Sequence, residues 1–203
     1  MIFGTYQSYK KTTPSVLAHH LARAQQEDFS LGVKLVRGAY LASDPPDILH
    51  DNKAATDRCY DNCAASILTR QWNSAIKGVG EFPPASIMLA THNATSVRRA
   101  YEIHRTGQAR SELLFAQLQG MADEISCELV QLNRGSHENV ASQRVKVALP
   151  VYKYMAWGTT GECMKYLLRR AEENKDAMKR TREDRDAMWL ELVRRVKSTL
   201  SKT

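Results

Sequence analysis

Short apolar runs alternate along the chain with longer stretches in which apolar residues recur every three or four positions. The short runs read as buried strands, the long ones as helices with one apolar face. Ile2 to Tyr6 is the first predicted strand. Thr13 as N-cap and Pro14 at the first helical position predict a helix from Pro14 to Phe29, with Val16, Leu17, Leu21 and Ala24 on helical spacing. Gly32 interrupts the chain before a second strand, Val33-Lys34-Leu35-Val36. Ser43 to Leu49, with Pro45 and Pro46, reads as a loop. A helix follows from Asn52 to Arg70, with Ala55, Cys59, Cys63 and Ile67 on one face. The Gly- and Pro-containing stretch Gln71 to Ser86 is expected to be a surface insertion. A third strand, Ile87 to Ala90, precedes a helix from Ala94 to Arg105. Leu113 to Leu118 is the fourth strand and Ala122 to Leu132 a helix. Val145 to Tyr154 is the fifth strand, with Pro150 weakening its centre. Gly161 to Asn174 is a helix. Asp184 to Leu200 is a last, charged one, striped by Met188, Leu192, Val196 and Leu200.

This alternation predicts parallel strands joined by helical crossovers. Composition leaves that picture intact. With 203 residues, 43% apolar and 25% charged, the chain falls in the globular range and outside the disordered, collagen and disulfide-scaffold classes. No apolar run approaches the roughly 18 residues of a membrane span. Met1 to Gln7 has the pattern of a buried strand, not of a signal or transit segment. The net charge is +7, of which Glu162 to Thr203 carries +4. That tail reads either as a solvated helix of mixed charge or as a surface for nucleic acid or anionic lipid. Cys59, Cys63, Cys127 and Cys163 form no C-x-x-C pair, and no His stands at zinc-finger spacing, so reduced, buried thiols in an intracellular compartment are expected and no metal.

Parallel sheets gather their functional groups at the C-terminal strand ends. Polar clusters stand there in this chain: Gln7, Arg37-Gly38-Ala39-Tyr40, Thr91-His92-Asn93, Gln117 and Tyr154. Lys34 and Leu35 point to opposite faces of their strand. A Lys inside a parallel strand needs an anion or an acidic partner. Lys34 and Arg37 therefore suit either a phosphate-bearing or electron-rich cofactor or a structural salt bridge beside a turn glycine. Thr91, His92 and Asn93 suit either a cofactor's polar edge or a cap on the next helix with a satisfied core histidine. Tyr166, Arg169, Arg170 and Glu173 fall on one helical face. Two guanidiniums there could grip a small carboxylate, with the Tyr walling an apolar ring; the same spacing also describes a surface charge ladder. His19-His20 has no partner at metal spacing and reads as structural or exposed.

Taken together, Val33-Lys34-Leu35-Val36-Arg37-Gly38-Ala39-Tyr40-Leu41, Ala90-Thr91-His92-Asn93, Gln117-Leu118-Gln119-Gly120-Met121-Ala122-Asp123 and Tyr166-Leu167-Leu168-Arg169-Arg170-Ala171-x-x-Asn174 resemble the proline dehydrogenase (proline oxidase) family, in its order and near its spacing. Tyr6-Gln7-x-Tyr9 matches an upstream strand. The resemblance spans roughly Phe3 to Asn174. It implies a distorted (β/α)8 barrel binding FAD, oxidation of L-proline to Δ1-pyrroline-5-carboxylate, and electron transfer to a membrane quinone. By matched position it implies that Lys34 lies beside the flavin's reactive nitrogen as the catalytic cation. Gln7, Arg37, Gly38, Ala39, Thr91, His92 and, less strongly, Gln117 match flavin contacts. Arg169 and Arg170 match the pair that binds the proline carboxylate. Leu35, Tyr40, Tyr154 and Tyr166 match the walls of the proline pocket.

Tyr154-Met155-Ala156-Trp157-Gly158 departs from the family's more usual Pro-Tyr-Gly ending. The family's earlier strands supply a Lys and an Asp to the proline site, and no residue here matches either. The expected fold is therefore α/β: a partial TIM-like barrel of about five βα units over residues 1–180, then a charged helical extension over 181–203. A flavin-dependent proline dehydrogenase and a non-catalytic remnant unable to hold FAD are the two readings that follow. A basic protein binding nucleic acid or acidic membrane through its tail is a third, with no nucleic acid expected under the first. Eukaryotic members of the family are mitochondrial, which implies that compartment and a peripheral association with the inner membrane.

Overall fold

The structure is a computed structural model that describes residues 2–38, 44–138 and 149–173, with short helical pieces at 188–189 and 192–194. Ten principal elements alternate: β1 (Gly4–Gln7), α1 (Thr13–Gln26), β2 (Leu31–Val36), α2 (Lys53–Thr69), β3 (Ala85–Ala90), α3 (Ala94–Arg105), β4 (Glu112–Leu118), α4 (Asp123–Glu138), β5 (Val151–Tyr154) and α5 (Thr160–Glu173). The five strands form one parallel sheet in the order β1-β2-β3-β4-β5. Each of α1 to α4 carries the chain to the adjacent strand, as a parallel pairing requires.

Strand alternation divides the sheet into two faces. Tyr6, Val33, Leu35, Ile87, Leu89, Leu113 and Phe115 share one face and one core with Leu17 and Leu21 of α1, Tyr60, Cys63 and Ile67 of α2, Val97 of α3 and Ile125 and Leu129 of α4. Four helices on a single face make the sheet singly wound, the arrangement of a barrel wall; a Rossmann sheet places helices on both faces. The other face carries Thr5, Gln7, Lys34, Val36, Met88, Ala90, Leu114, Ala116, Leu118, Tyr152 and Tyr154, in parallel register from β1 to β5. On a flat sheet β2 and β5 would lie about 14 Å apart, three strand spacings. The Lys34 ammonium nevertheless stands 5.4 Å from the Tyr154 ring centre, so the sheet curls toward this face.

Local chemistry sets most boundaries. Asn52 caps α2 by accepting from the Ala55 N–H at 2.9 Å, and α2 stops at Arg70 in the left-handed conformation. Asn93 caps α3 by accepting from the Ser96 N–H at 3.1 Å. Gly32 lets the first residues pass close to β2, since a Cβ there would lie 2.3 Å from the Ile2 carbonyl oxygen.

Several expectations change. Thr12, not Thr13, occupies the N-cap of α1, and its side chain makes no capping bond; the Thr13 hydroxyl donates to the Gln7 carbonyl at 2.5 Å. Ile2 precedes β1 and is exposed. The stretch 71–86 is more than a surface insertion. It buries Ile76 and Phe82 in the core, packs Trp72 against Phe82 with ring centroids 4.6 Å apart, and enters β3 at Ala85. β5 begins at Val151, after Pro150, whose carbonyl accepts from the Phe115 N–H at 2.9 Å. The proline thus stands where no strand N–H is needed. The expected strand residues 145–148 lie outside the described residues, as does most of the expected helix 184–200. Cys59 and Cys63 are buried as expected, whereas Cys127 is exposed and Cys163 partly so; all four are free thiols. His20 has a structural partner, the Tyr6 hydroxyl at 2.8 Å.

Candidate active site at the strand ends

Lys34 leaves β2 on the concave face, away from the helices. Its ammonium lies over the Tyr154 ring of β5, an attraction between cation and ring quadrupole. The Tyr154 ring meets Tyr166 of α5 at 5.7 Å between centroids, and the Arg170 guanidinium lies 5.5 Å from the Tyr166 ring. Four residues from three segments therefore form one run of contacts: cation, ring, ring, cation. Arg169 is on the same helix as Arg170; its side chain lies outside the described residues, as do Ala39 and Tyr40.

Gln7 extends the concave face at β1, in register with Val36 of β2. Its side-chain oxygen is buried and accepts no hydrogen bond among the described residues. Beside it in the sheet come Val36, Ala90 and Ala116. The two alanines carry little bulk over the sheet, and the unsatisfied buried Gln7 acceptor costs about 1–3 kcal/mol unless something donates to it.

Arg37 takes a different course. Its guanidinium is turned to the helix layer and its side chain is only 14% exposed. It lies 3.8 Å over the Tyr60 ring, pairs with Asp57, donates to Ser96 Oγ at 2.6 Å, and has Asp61 4.0 Å away. Lys53 joins Asp57 at 2.5 Å and Arg99 joins Asp61. The result is an alternating network, Lys53–Asp57–Arg37–Asp61–Arg99. Burial raises the Asp57 carboxyl, but the Lys53 hydrogen bond and the charges of Arg37 and Lys53 outweigh it and hold the group below its usual value. A cavity of about 320 Å³ opens above the network, lined by Lys53, Arg58, Asn93, Thr95, Ser96 and Arg99 among others. Gly38, with φ at 79°, turns the chain away after Arg37.

At the end of β3, Thr91 Oγ1 accepts from the Asn93 N–H at 3.1 Å and Asn93 caps α3. Thus two of the three polar residues serve the helix start. His92 accepts the Leu118 N–H on Nε2 at 3.1 Å, which places its own N–H on Nδ1 when the ring is neutral.

Besides Arg37, the expected site residues Leu35 and Gln117 do not reach the concave face. Leu35 is fully buried in the helix-side core, and its carbonyl accepts from the Tyr60 hydroxyl at 3.3 Å. Gln117 is turned to α4, where its side-chain oxygen accepts from Ser126 Oγ at 3.0 Å. Strand parity is the reason: each stands one residue from a concave position, Lys34 in one case and Ala116 and Leu118 in the other. Sequence reasoning missed Leu118, which faces Tyr154 in the register of β4 and β5. Alternation from Gln117 would have found it. It also missed Asp57, Asp61 and Ser96 around Arg37, for which the only sequence signal is the i, i+4 spacing of Lys53, Asp57 and Asp61.

Comparison with known proteins adds the family. The model of the family described as proline dehydrogenase matches residues 1–183. The chain is 32% identical to a probable mitochondrial proline dehydrogenase of Schizosaccharomyces pombe, over 96% of this chain and 40% of that protein. It is 34% identical to mitochondrial proline dehydrogenase 1 of Homo sapiens, over 98% of this chain and 31% of that protein. It is 31% identical to a hydroxyproline dehydrogenase of Mus musculus, again over 96% of this chain and 40% of the other. The chain thus spans about a third of the length of these relatives. Among solved structures, a Bradyrhizobium japonicum proline utilization A mutant superposes with a TM-score of 0.64 at 25% identity, over 85% of this chain and 16% of that one. Proline utilization A from Bdellovibrio bacteriovorus, at 21% identity and a TM-score of 0.63 over 83% of this chain and 16% of that one, shows the shared fold.

Proposed function

The chain belongs to the proline dehydrogenase family, and from this we propose that the protein oxidises L-proline to Δ1-pyrroline-5-carboxylate with FAD as cofactor and passes the electrons to a quinone. The observation that carries the reading is the line Lys34–Tyr154–Tyr166–Arg170 across the concave face. It puts a cation at each end and aromatic walls between, which suits a small amino acid with one carboxylate and an apolar ring.

The residues present fit a flavin. The buried, unsatisfied Gln7 oxygen wants a donor, and a flat ring system bearing an N–H supplies one. Val36, Ala90 and Ala116 leave a floor without bulky side chains. FAD, when bound, supplies the two-electron acceptor that this chain's side chains lack. Lys34 contributes a positive charge on the same face, which favours negative charge developing there in the transition state. Arg170, with Arg169 beside it on the helix, binds the substrate carboxylate, and Tyr154 and Tyr166 fix the ring's plane and keep water from it. Thr91 and His92 present the end of β3 to the cofactor. Gly38 and Ala39 bring backbone close, with Tyr40 as a further wall. Arg37 and the adjoining cavity suit the cofactor's polar portion through the field of Lys53, Arg58 and Arg99. The names of the human and yeast relatives favour L-proline over hydroxyproline and a mitochondrial location, and the net charge of +7 is in keeping with peripheral contact with the inner membrane. The division into a catalytic unit over 1–180 and an extension over 181–203 is supported by the family match ending at 183.

A second reading rests on the sheet's edges. Among the described residues β1 and β5 each pair on one side only, which favours a chain that does not retain flavin by itself. Purification of the chain separates the two. The first reading expects a yellow protein with flavin absorbance and proline-dependent dye reduction. A colourless protein that reduces no dye, even with FAD added, overturns it.

A further inference from the structure

Tyr154 stands at the end of a strand that has little to hold it. β5 is four residues long and, among the described residues, pairs only with β4. Its concave-side rings, Tyr152 and Tyr154, are half exposed. On the helix side Val151 packs against the core. Strand alternation puts Lys153 next on that side, in register with Gln117, where a second apolar residue would anchor the strand end. The end that carries Tyr154 therefore lacks an apolar anchor.

Lys153 supplies a polar one. Its ammonium donates to the Met121 carbonyl at 2.9 Å and to Asp123 Oδ1 at 2.6 Å, both beyond the end of β4 in the approach to α4. The turn between them is a demanding one. The Met121 N–H donates to the Leu118 carbonyl at 3.1 Å, Gly120 has φ at 73°, and Ala122 has φ at 52°. A left-handed conformation at a residue with a Cβ is costly and persists where the surroundings hold it. Here His92 of the β3 end takes the Leu118 N–H, and Lys153 takes the other side of the turn. The same turn closes on β5, since the Gln119 N–H donates to the Tyr154 carbonyl at 3.0 Å.

We propose that Lys153 is a positioning residue for the proline site: its grip on the turn between β4 and α4 fixes the end of β5, and with it the Tyr154 ring. This rests on the dehydrogenase reading. Lys153 stands on the opposite face of the sheet from Tyr154, so it acts through the strand and not on the substrate. Its partner Asp123 is 67% exposed, and ion pairs so open to water add little to global stability. The consequence of the contact is geometric. The Tyr154 ring lies 5.4 Å from the Lys34 ammonium and 5.7 Å from the Tyr166 ring, and a shift of the strand end takes it from both. A transfer that depends on a fixed substrate pose is sensitive to displacements of about 1 Å.

Lys153→Met keeps the length and the apolar stem and removes both donated bonds, whereas Lys153→Arg keeps donors for both. In flavin-loaded protein, Lys153→Met is expected to lower kcat about tenfold and to raise KM for proline several-fold, with flavin content and the denaturant midpoint near wild type. Lys153→Arg should recover most of the loss. A shifted midpoint with kcat and KM unchanged in the folded fraction, or no recovery with arginine, overturns the proposal. A second measurement needs no flavin. In the full chain labelled with heavy-carbon lysine, the Lys34 ε-methylene resonance is assigned by its loss in Lys34→Arg. The Tyr154 ring should hold it upfield in wild type and Lys153→Arg, and it should move toward its free position in Lys153→Met. An unmoved resonance overturns the proposal. A wild type that holds no flavin and oxidises no proline overturns the dehydrogenase reading instead, and the resonance then decides whether Lys153 positions Tyr154.

Discussion

Arg37 and Lys34 are both cations near the end of β2, yet they face opposite environments. Arg37 is an odd-parity neighbour of Leu35 and meets Tyr60, Asp57 and Ser96 on the helix side. Lys34 meets the aromatic face of Tyr154 on the concave side. A cation already matched by carboxylates suits a cofactor's polar portion through the local field more than a direct grip on substrate, so on the proposed reading the substrate-side chemistry falls to Lys34 and to the arginines of α5. In a flavin-loaded preparation, Arg170→Ala should raise KM for proline about 10- to 100-fold, the loss of a charged hydrogen bond worth about 1.5–3 kcal/mol, with flavin retained. Steady-state kinetics and flavin absorbance check it together; flavin loss at unchanged KM would remove the carboxylate role from this residue.

At the scale of the element, the strand's two-residue period decides which side chains can share a site. β2 sends Leu35 into the core between sheet and helices, beside Tyr6 of β1 and Leu89 of β3 in register. Leu35→Ala should therefore cost about 2–5 kcal/mol of stability, the range for a buried Leu, and leave KM for proline nearly unchanged. Denaturant unfolding and kinetics on the same variant separate a core residue from a pocket wall. Helix positions were legible because their signals are local: Asn52 and Asn93 cap where a side-chain acceptor precedes an apolar period. The segment 71–86 was not. Its Gly and Pro content resembles a surface loop, and it takes the packing of Trp72 against Phe82 and the burial of Ile76 to tie it to the core.

Across the whole molecule, polar contacts add to the apolar core in joining the helices to the strand ends and to one another. Arg37 joins β2 to α2, Ser96 joins α3 to both, Arg98 of α3 reaches Glu128 of α4 at 2.9 Å, and Lys153 of β5 reaches Asp123 of α4 at 2.6 Å. Asp57 has a folded-state pKa below its unfolded value, so its contribution is complete above about pH 4 and is lost as pH falls through the lower, folded value. Thermal unfolding should accordingly drop on acidification below about pH 4, and Asp57→Asn should reduce both the stability at neutral pH and the steepness of that acid limb. An unchanged acid limb in the variant would show that Asp57 does not carry it. The order of strands and helices, their parallel direction and the clustering of polar residues at strand ends were determined by the sequence alone, because hydrophobic period and caps act over a few neighbouring residues. Which alternate residues of a strand face the site was decided only by the tertiary structure. In a parallel strand buried on both sides the apolar pattern does not tell one face from the other. The helices choose by packing on one of them, and the curl of the sheet then brings Lys34, Tyr154, Tyr166 and Arg170 together from three distant segments.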